Sequence, residues 1–284
     1  MTDNRSKTIT LKDGRTLGYA EYGSPQDKPV FFFHGSPSSR LVGQITDEAA
    51  RRLNARVIAI DRPGMGLSDF RPDRQILDWP DDVVQLADIL GIGSFAVLGY
   101  SAGGAYAAAC AFKIHQRLRA ASIVSGLGPI DVRGATNDMP RQVRVFLLTA
   151  RRAPFLLRLF LKQLMARRLP GDPGFSPTKA LGSDADKAVL ARPDVARVFG
   201  IALLEAFRSG NRGPARDAVL SACPWGFVPH DISTEVHVWH GEADILAPAV
   251  FGRYIANAIP NCRARFFPDE GHISLITNHK VTFP

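Results

Sequence analysis

The sequence has few cysteines, no long uncharged apolar run and no cluster of candidate metal ligands. Its three cysteines are scattered, which argues against a disulfide framework and indicates a reducing compartment: Cys110, Cys223 and Cys262. The N-terminus is polar, so we expect no signal peptide, and no apolar run approaches the ~20 residues that span a bilayer. The seven histidines show no metal-ligand spacing. We therefore expect a cytoplasmic protein that uses neither a metal nor another cofactor.

The net charge of +8 is concentrated in the middle of the chain. Residues 130–222 contain 16 Lys and Arg residues against eight Asp and Glu residues, whereas the remainder contains 19 of each sign. The arginines are spread over helical faces, without interleaved aromatic side chains or a nucleic-acid-binding motif. We therefore expect no nucleic-acid partner. The sequence leaves the oligomeric state open.

Apolar runs alternate with amphipathic stretches, and the 284 residues suffice for one large α/β domain with an inserted subdomain. A hairpin is predicted around Asp13-Gly14, because Asp-Gly favours a tight turn. Uninterrupted apolar runs are typical of strands buried on both faces. Strands are predicted at 8–11, 16–21, 29–33, 56–60, 95–99, 119–125, 235–240 and 263–267. Their alternation with helical stretches predicts an α/β fold with a mostly parallel sheet.

The middle segment, residues 127–222, shows no strand pattern and is interpreted as helices separated by proline and glycine. We predict a helical cap (127–222) over the carboxyl edge of a core domain formed by 1–126 and 223–284. A second independent domain is less favoured, because the sheet resumes afterwards. The Leu-, Phe- and Arg-rich stretch 141–169 is expected to cover the sheet edge, so membrane association is not expected; lying on a membrane surface is the alternative. The short tail after His272 leaves open whether the C-terminus is complete.

The strongest local signal is Gly99-Tyr100-Ser101-Ala102-Gly103, a Gly-x-Ser-x-Gly pattern that ends an apolar run. It predicts a strand, a tight turn with Ser101 at its tip, and a helix that begins at Ala102. We expect strained backbone at Ser101. Gly99 and Gly103 are expected where side chains would collide as the strand and the helix fold back together. The Ala102 amide would face the same space as the serine hydroxyl, from a helix N-terminus.

Four loops at predicted strand ends carry polar or reactive groups, and such ends converge on one crevice in an open α/β sheet. They contain His34-Gly35, Ser101, Asp244 and His272. The order Ser, Asp, His with the serine in Gly-x-Ser-x-Gly resembles the α/β-hydrolase superfamily along nearly the whole chain. The matching motifs are His34-Gly35-Ser36-Pro37, the run 61–68 (DRPGMGLS), 99–103 (GYSAG), 240–244 (HGEAD) and Gly271-His272. The resemblance implies a mostly parallel α/β-hydrolase sheet with an inserted helical cap, of the serine esterase type.

The family resemblance and the chemistry together suggest a catalytic triad. Ser101 would be the nucleophile, and His272 has a suitable pKa to remove its proton. Asp244 would hold the imidazole tautomer and stabilise the imidazolium ion. Asp244 has three rivals for this role, which are Glu242, Asp231 and Asp269.

Other residues are expected to support this site. The Ala102 amide would be one oxyanion donor, and the resemblance places the second at Ser36, after His34-Gly35. His34 and His240 are interpreted as shaping their loops, and Asp61 and Arg62 are expected to pair beneath the site. Tyr100 and Ser36 are candidate contacts to a substrate.

The serine at the turn limits the range of reactions that the protein could catalyse. Epoxide hydrolases and haloalkane dehalogenases of this fold use Asp there, and the loops of proline iminopeptidases do not match. What remains is hydrolysis of a small-molecule ester, thioester or lactone through a Ser101 acyl-enzyme. The alternatives are C–C bond hydrolysis of a β-diketone-like acid and a catalytically idle ligand-binding member of the fold. Anionic substrates and a salt-dependent rate are expected only if the arginines of the middle segment face the crevice.

Overall fold

The predicted strands form an eight-stranded sheet in the computed structural model, which describes residues 6–166 and 182–278. The order across the sheet is β1-β2-β4-β3-β5-β6-β7-β8; β1–β2 and β2–β4 pair antiparallel and the other neighbours pair parallel. The prediction of a mostly parallel sheet is confirmed. The strands are β1 (Lys7–Thr10), β2 (Thr16–Gly23), β3 (Lys28–Phe33), β4 (Ala55–Ile60), β5 (Phe95–Tyr100), β6 (Leu118–Val124), β7 (Val236–Gly241) and β8 (Cys262–Phe267).

The central strands are buried on both faces, as their continuous apolar runs predict. In β3, Phe31 and Phe33 enter one hydrophobic core and Val30 and Phe32 enter the other, because successive side chains point to opposite faces. Helix α3 (Gly103–Lys113) is buried from Gly103 to Ala111. Its small residues allow the helix to lie close to the sheet. The start of α3 is therefore held next to the end of β5.

The other helices surround this sheet. A 3-10 helix (Arg40–Thr46) precedes α1 (Asp47–Arg52). No strand falls within the described residues of the middle segment, and the division into core and cap stays a prediction. Residues 167–181 lie outside the described ranges, and so does the end of the predicted stretch 141–169. The helices are α1 (Asp47–Arg52), α2 (Trp79–Ile89), α4 (Arg141–Arg152), α5 (Pro154–Ala166), α6 (Asp184–Leu190), α7 (Pro193–Ala206), α8 (Arg212–Ala222), α9 (Ala249–Ala258) and α10 (Ser274–Thr277).

Helix α5 buries only one of its two apolar faces. Leu157 and Leu161 are buried in a cluster with residues of α4 and α8. The opposite face is exposed and carries Phe155, Leu156, Leu159 and Phe160. Within the described residues, α5 and every other helix are too short or too polar to cross a lipid bilayer.

Candidate active site

The turn after β5 has the strained geometry that its sequence predicts. Ser101 has a φ of 56°, in the left-handed region of backbone conformation that residues other than glycine rarely adopt. A Cβ atom on Gly99 would collide with the backbone of Gly103, and one on Gly103 would collide with the carbonyl of Phe33. The two glycines therefore allow β5, α3 and the end of β3 to meet at one point. The Ser101 side chain is held at that point.

Three side chains from separate loops form one hydrogen-bonded chain. Ser101 Oγ lies 2.9 Å from His272 Nε2, and His272 Nδ1 lies 2.8 Å from Asp244 Oδ2. A neutral imidazole with its proton on Nδ1 satisfies both contacts, since it donates to the carboxylate and accepts from the hydroxyl. The structure thus brings together all three predicted triad residues, although they are 28 and 171 positions apart along the chain.

The Asp244 carboxylate is buried and remains ionised. Its Oδ1 accepts hydrogen bonds from the amides of Leu246 and Ala247. Burial opposes its ionisation, but His272 and His240 outweigh that cost and lower the pKa of Asp244 to about 2. His240 Nε2 lies 2.7 Å from the carbonyl of Ala247 and so holds the same loop, which agrees with its predicted structural role.

The rival carboxylates do not contact His272. Glu242 pairs with Arg253 at 2.5 Å, and Asp231 and Asp269 are exposed. Asp244 therefore has the only carboxylate that the described residues place against His272 Nδ1. Burial disfavours the imidazolium ion, but the Asp244 charge outweighs this effect and raises the pKa of His272.

The loop after β3 lies directly against the serine. A Cβ atom on Gly35 would lie 3.2 Å from the Cβ of Ser101, so a side chain at this position would crowd the serine. Ser36 lines the adjoining cavity, and Ala102 precedes the first turn of α3. Neither the Ser36 amide nor the Ala102 amide has a hydrogen-bond partner among the described residues. Both remain candidate donors to an oxyanion.

A buried charge cluster supports this loop from below. Arg62 donates to the carbonyls of His34 and Gly35, and its guanidinium pairs with Asp217 of α8 at 2.7 Å and 2.9 Å. Asp217 also binds Arg74 and Tyr106. Burial disfavours the Asp217 carboxylate, but the two arginines outweigh it and lower its pKa. The loop is therefore braced by a carboxylate from the middle segment.

The expected Asp61–Arg62 pair is wrong. Asp61 instead binds Arg40. The backbone amide of Arg40 donates to the Asp61 carboxylate at 2.6 Å, and the Arg40 guanidinium donates to it at 2.8 Å. Arg40 also pairs with Glu205 of α7 at 2.8 Å. The two side chains follow the end of β4, where consecutive residues point to opposite sides. Each finds its own partner, so both residues brace the site without touching each other.

His34 has the loop-shaping position that the sequence suggests. It is fully buried, with Nδ1 2.7 Å from the carbonyl of Gly35 and Nε2 accepting from the amide of Arg62. Burial, reinforced by the charge of Arg62, lowers its pKa well below the usual value. The ring is thus neutral and does not face the cavity.

The cavity over Ser101 is small and mostly apolar, with a volume of about 150 Å³. Tyr100, a predicted contact, lines it, and its ring lies 5.2 Å from that of His272. Sequence reasoning missed three apolar lining residues, Phe199 and Leu203 of α7 and Ile273. Among the described residues, no arginine lines the cavity, and every Lys and Arg of the middle segment is exposed apart from the half-buried Arg216.

Sequence reasoning also missed Asp186 of α6, a fully buried carboxylate behind His272. It accepts hydrogen bonds from the backbone amides of His272, Ile273 and Ser274, at 3.1, 2.7 and 3.0 Å. The only local signal was Ser183-x-x-Asp186, a capping pattern that predicts a helix start but no distant contact. Among the described residues, no group of three His, Cys, Asp or Glu side chains is arranged to hold a metal ion.

Two curated proteins are similar to part of this chain. The chain is 30% identical over 163 residues to a non-heme chloroperoxidase of Streptomyces lividans, which covers 53% of this chain and 57% of that protein. It is 31% identical over 140 residues to a bifunctional esterase/perhydrolase of Acinetobacter calcoaceticus, covering 48% and 50% of the two chains. It therefore spans about half the length of these curated relatives.

The fold itself is shared with solved structures over nearly the whole chain. A thermophilic esterase from Thermogutta terrifontis superposes with a TM-score of 0.67 and 24% identity, covering 96% of this chain and 93% of the other. A family model described as "Alpha/beta hydrolase family" matches residues 30–282. The match includes the loops of His34, Ser101, Asp244 and His272. The chain belongs to the alpha/beta hydrolase family.

Proposed function

We propose that this protein hydrolyses small carboxylic esters through an acyl-enzyme on Ser101. The observation that carries the proposal is the unbroken Ser101–His272–Asp244 hydrogen-bond chain, which opens on a cavity beside two unpartnered amides. Nucleophile, base and orienting carboxylate are already within hydrogen-bond distance. Relatives named as esterases support the choice of ester over other acyl compounds.

The reaction follows from this geometry. Ser101 Oγ attacks the ester carbonyl while its proton passes to His272 Nε2, and the oxyanion accepts hydrogen bonds from the amides of Ser36 and Ala102. The carbon–oxygen bond to the alcohol then breaks, and the imidazolium protonates the leaving alkoxide. Water, deprotonated by His272, attacks the acyl group and releases the acid and free Ser101. The Asp244 charge stabilises the imidazolium in both halves.

The cavity indicates short, uncharged acyl groups as substrates. Its volume is about 150 Å³, a size that accommodates a benzene-sized group. Apart from the His272 imidazole, its side chains are hydroxylic, aromatic or aliphatic, and no Lys, Arg, Asp or Glu of the described residues lines it. An anionic acyl group would lose its hydration without gaining a cation. The exposed arginines of the middle segment therefore do not select the substrate.

The test compares Ser101→Ala with wild type on p-nitrophenyl acetate and with a fluorophosphonate probe. We expect kcat to fall by roughly 10⁶-fold and covalent labelling to disappear, because the nucleophile is lost. Ser209→Ala is the matched control, since Ser209 is exposed and does not line the cavity. Wild-type turnover by Ser101→Ala contradicts the proposal. Absence of labelling in the wild type favours an idle ligand-binding protein, and labelling without ester turnover favours C–C hydrolysis.

Perhydrolysis is a second candidate activity, favoured by the relative named as an esterase/perhydrolase. Hydrogen peroxide would replace water in the second half of the reaction. It would attack the acyl group of acyl-Ser101 and lose a proton to His272, and the products would be a percarboxylic acid and free serine. Peracid formation from p-nitrophenyl acetate and peroxide, measured against hydrolysis at the same pH, tests this. A product ratio that equals the uncatalysed ratio rejects the activity.

A further inference from the structure

A buried carboxylate of the middle segment holds the loop that carries His272. Asp186 has no exposed surface, and both of its oxygens are occupied by backbone amides of residues 272–274. These amides begin α10, a helix of only four residues whose N-terminus requires acceptors. The contact joins residues 86 to 88 positions apart, so it is not a local turn.

Asp186 is itself held in one orientation. Ser183 donates to Asp186 Oδ2 from its hydroxyl at 3.0 Å and from its amide at 3.2 Å, and its Oγ accepts from the Asp186 amide. Next to this pair, a Cβ atom on Gly271 would collide with Ser183 Oγ and lie 2.5 Å from Asp186 Oδ1. Helix α6 and the His272 loop therefore pack too closely for the carboxylate to rotate away.

We propose that Asp186 is a positioning residue, which fixes the backbone of His272 so that its imidazole spans Ser101 and Asp244. This role rests on the proposed esterase function. The imidazole must contact two partners at 2.8 and 2.9 Å at once, so a small shift of its backbone breaks one of them. Asp186 does not touch the reacting atoms and acts only through His272.

The charge of Asp186 has a second consequence. Five groups lie around the imidazole: Asp244 after β7, Tyr100 at the end of β5, Ser101 after β5, Asp186 from α6, and His240 behind Asp244. Burial lowers the pKa of His272, and the charge of Asp244 raises it. The charge of Asp186 has a smaller effect, which also raises the pKa of His272. Neutralising Asp186 is therefore expected to lower the pKa of His272.

The deciding experiment compares Asp186→Asn with Asp184→Asn. Asp184 lies on the same helix, is exposed and pairs only with Lys187, so its replacement is the control. The asparagine variant keeps the shape but turns an NH₂ group toward amide donors. We expect kcat/KM on p-nitrophenyl acetate to fall on the order of 10²-fold in Asp186→Asn, with the acid limb of its pH profile moved to lower pH. Asp184→Asn stays within twofold of wild type.

Two further measurements keep the result interpretable. Ser183→Ala removes one support of the carboxylate and is expected to give a smaller loss in the same direction, even if Asp186→Asn does not fold. Nuclear magnetic resonance titration of the His272 imidazole reports its pKa without any turnover, so it separates this proposal from the esterase assignment. The proposal is wrong if Asp186→Asn folds and keeps the wild-type kcat/KM and the wild-type His272 titration. If Asp186→Asn does not fold, a wild-type kcat/KM in Ser183→Ala overturns the proposal instead.

Discussion

The core strands and the middle segment contribute to the site in opposite ways. The loops after the strands supply the candidate catalytic groups, namely Ser101, His272, Asp244 and the two candidate amides. The middle segment supplies acids that hold those loops in place, although its outer surface is basic. Asp186 contacts the His272 loop, Asp217 contacts Arg62 beneath Gly35, and Glu205 contacts Arg40. Chemistry and positioning are thus divided between two parts of one chain.

The largest effect is expected when the core contribution is removed. Asp244→Asn keeps the size of the side chain but favours the wrong imidazole tautomer, so we expect kcat on p-nitrophenyl acetate to fall roughly 10⁴-fold. The fold should survive, because the amides of Leu246 and Ala247 retain an acceptor. Steady-state kinetics with a thermal unfolding control checks this. A loss below tenfold would indicate that another carboxylate orients His272.

Removing Asp217, the carboxylate of the buried charge cluster, should act on stability more than on chemistry. Asp217→Asn leaves Arg62 and Arg74 buried without a counter-charge, which we expect to lower the free energy of unfolding by roughly 3–5 kcal/mol. Glu205→Gln is the control, since Glu205 is partly exposed and Arg40 keeps Asp61. Urea unfolding of both variants measures the difference. Equal stabilities would show that the buried cluster does not support the loop.

The pH dependence of kcat/KM tests how the core loops set the pKa of His272, the proposed base. His272 must be neutral to accept the serine proton, and its pKa is raised above the usual 6.5. We therefore expect kcat/KM of the wild type to fall as the pH drops through a value above 6.5, about tenfold per pH unit below it. A profile flat down to pH 5 would mean that Asp244 does not raise the pKa of His272. The Asp244→Asn variant should lose activity at lower pH than the wild type, because the negative charge is gone.

The middle segment also shapes the cavity, through Phe199. Phe199→Ala removes a ring from the cavity lining, so we expect the ratio of kcat/KM for p-nitrophenyl hexanoate over acetate to rise roughly tenfold. Phe155→Ala, an exposed change on α5, is the matched control and should leave the ratio unchanged. An unchanged ratio in Phe199→Ala would place the acyl chain elsewhere.

The smallest effect should come from the basic outer surface. Because no arginine in the described part of the chain lines the cavity, raising the ionic strength from about 0.05 to about 0.5 M is expected to change kcat/KM for a neutral ester by less than twofold. A steep fall would indicate that exposed arginines guide the substrate. Assays in sodium chloride at constant pH distinguish the two.

The core half of the site was predictable because each element has a local signature. Gly99 and Gly103 around Ser101 report a close approach of backbones, and the apolar run 29–33 reports a buried strand. Asp244 had rivals because Glu242 shares its loop and because Asp231 and Asp269 lie in the loops before β7 and after β8. The structure resolves this through the contact of Asp244 with His272 Nδ1. Strand ends that converge on one edge then made a shared crevice a sound expectation.

The positioning contacts were not predictable, because they join residues far apart in the sequence. Nothing near Asp186 indicates that its carboxylate meets amides 86 residues later, and nothing near Asp217 indicates Arg62, 155 positions earlier. The wrong Asp61–Arg62 pair has the same origin, since adjacency in sequence suggested a contact that the end of β4 does not allow. Helical periodicity predicts which faces are apolar but not what the buried acids on them will meet.

The cluster of Arg62, Arg74 and Asp217 has a consequence for engineering substrate range. A common strategy replaces the helices over such a site with those of another enzyme, as an exchangeable module. Here a helix taken from another enzyme would have to place a carboxylate at the position of Asp217. Without it, Arg62 and Arg74 would remain buried beneath Gly35 without a counter-charge. Chimeras that graft new helices while keeping Asp186 and Asp217 should therefore yield more folded protein than chimeras that replace the whole segment.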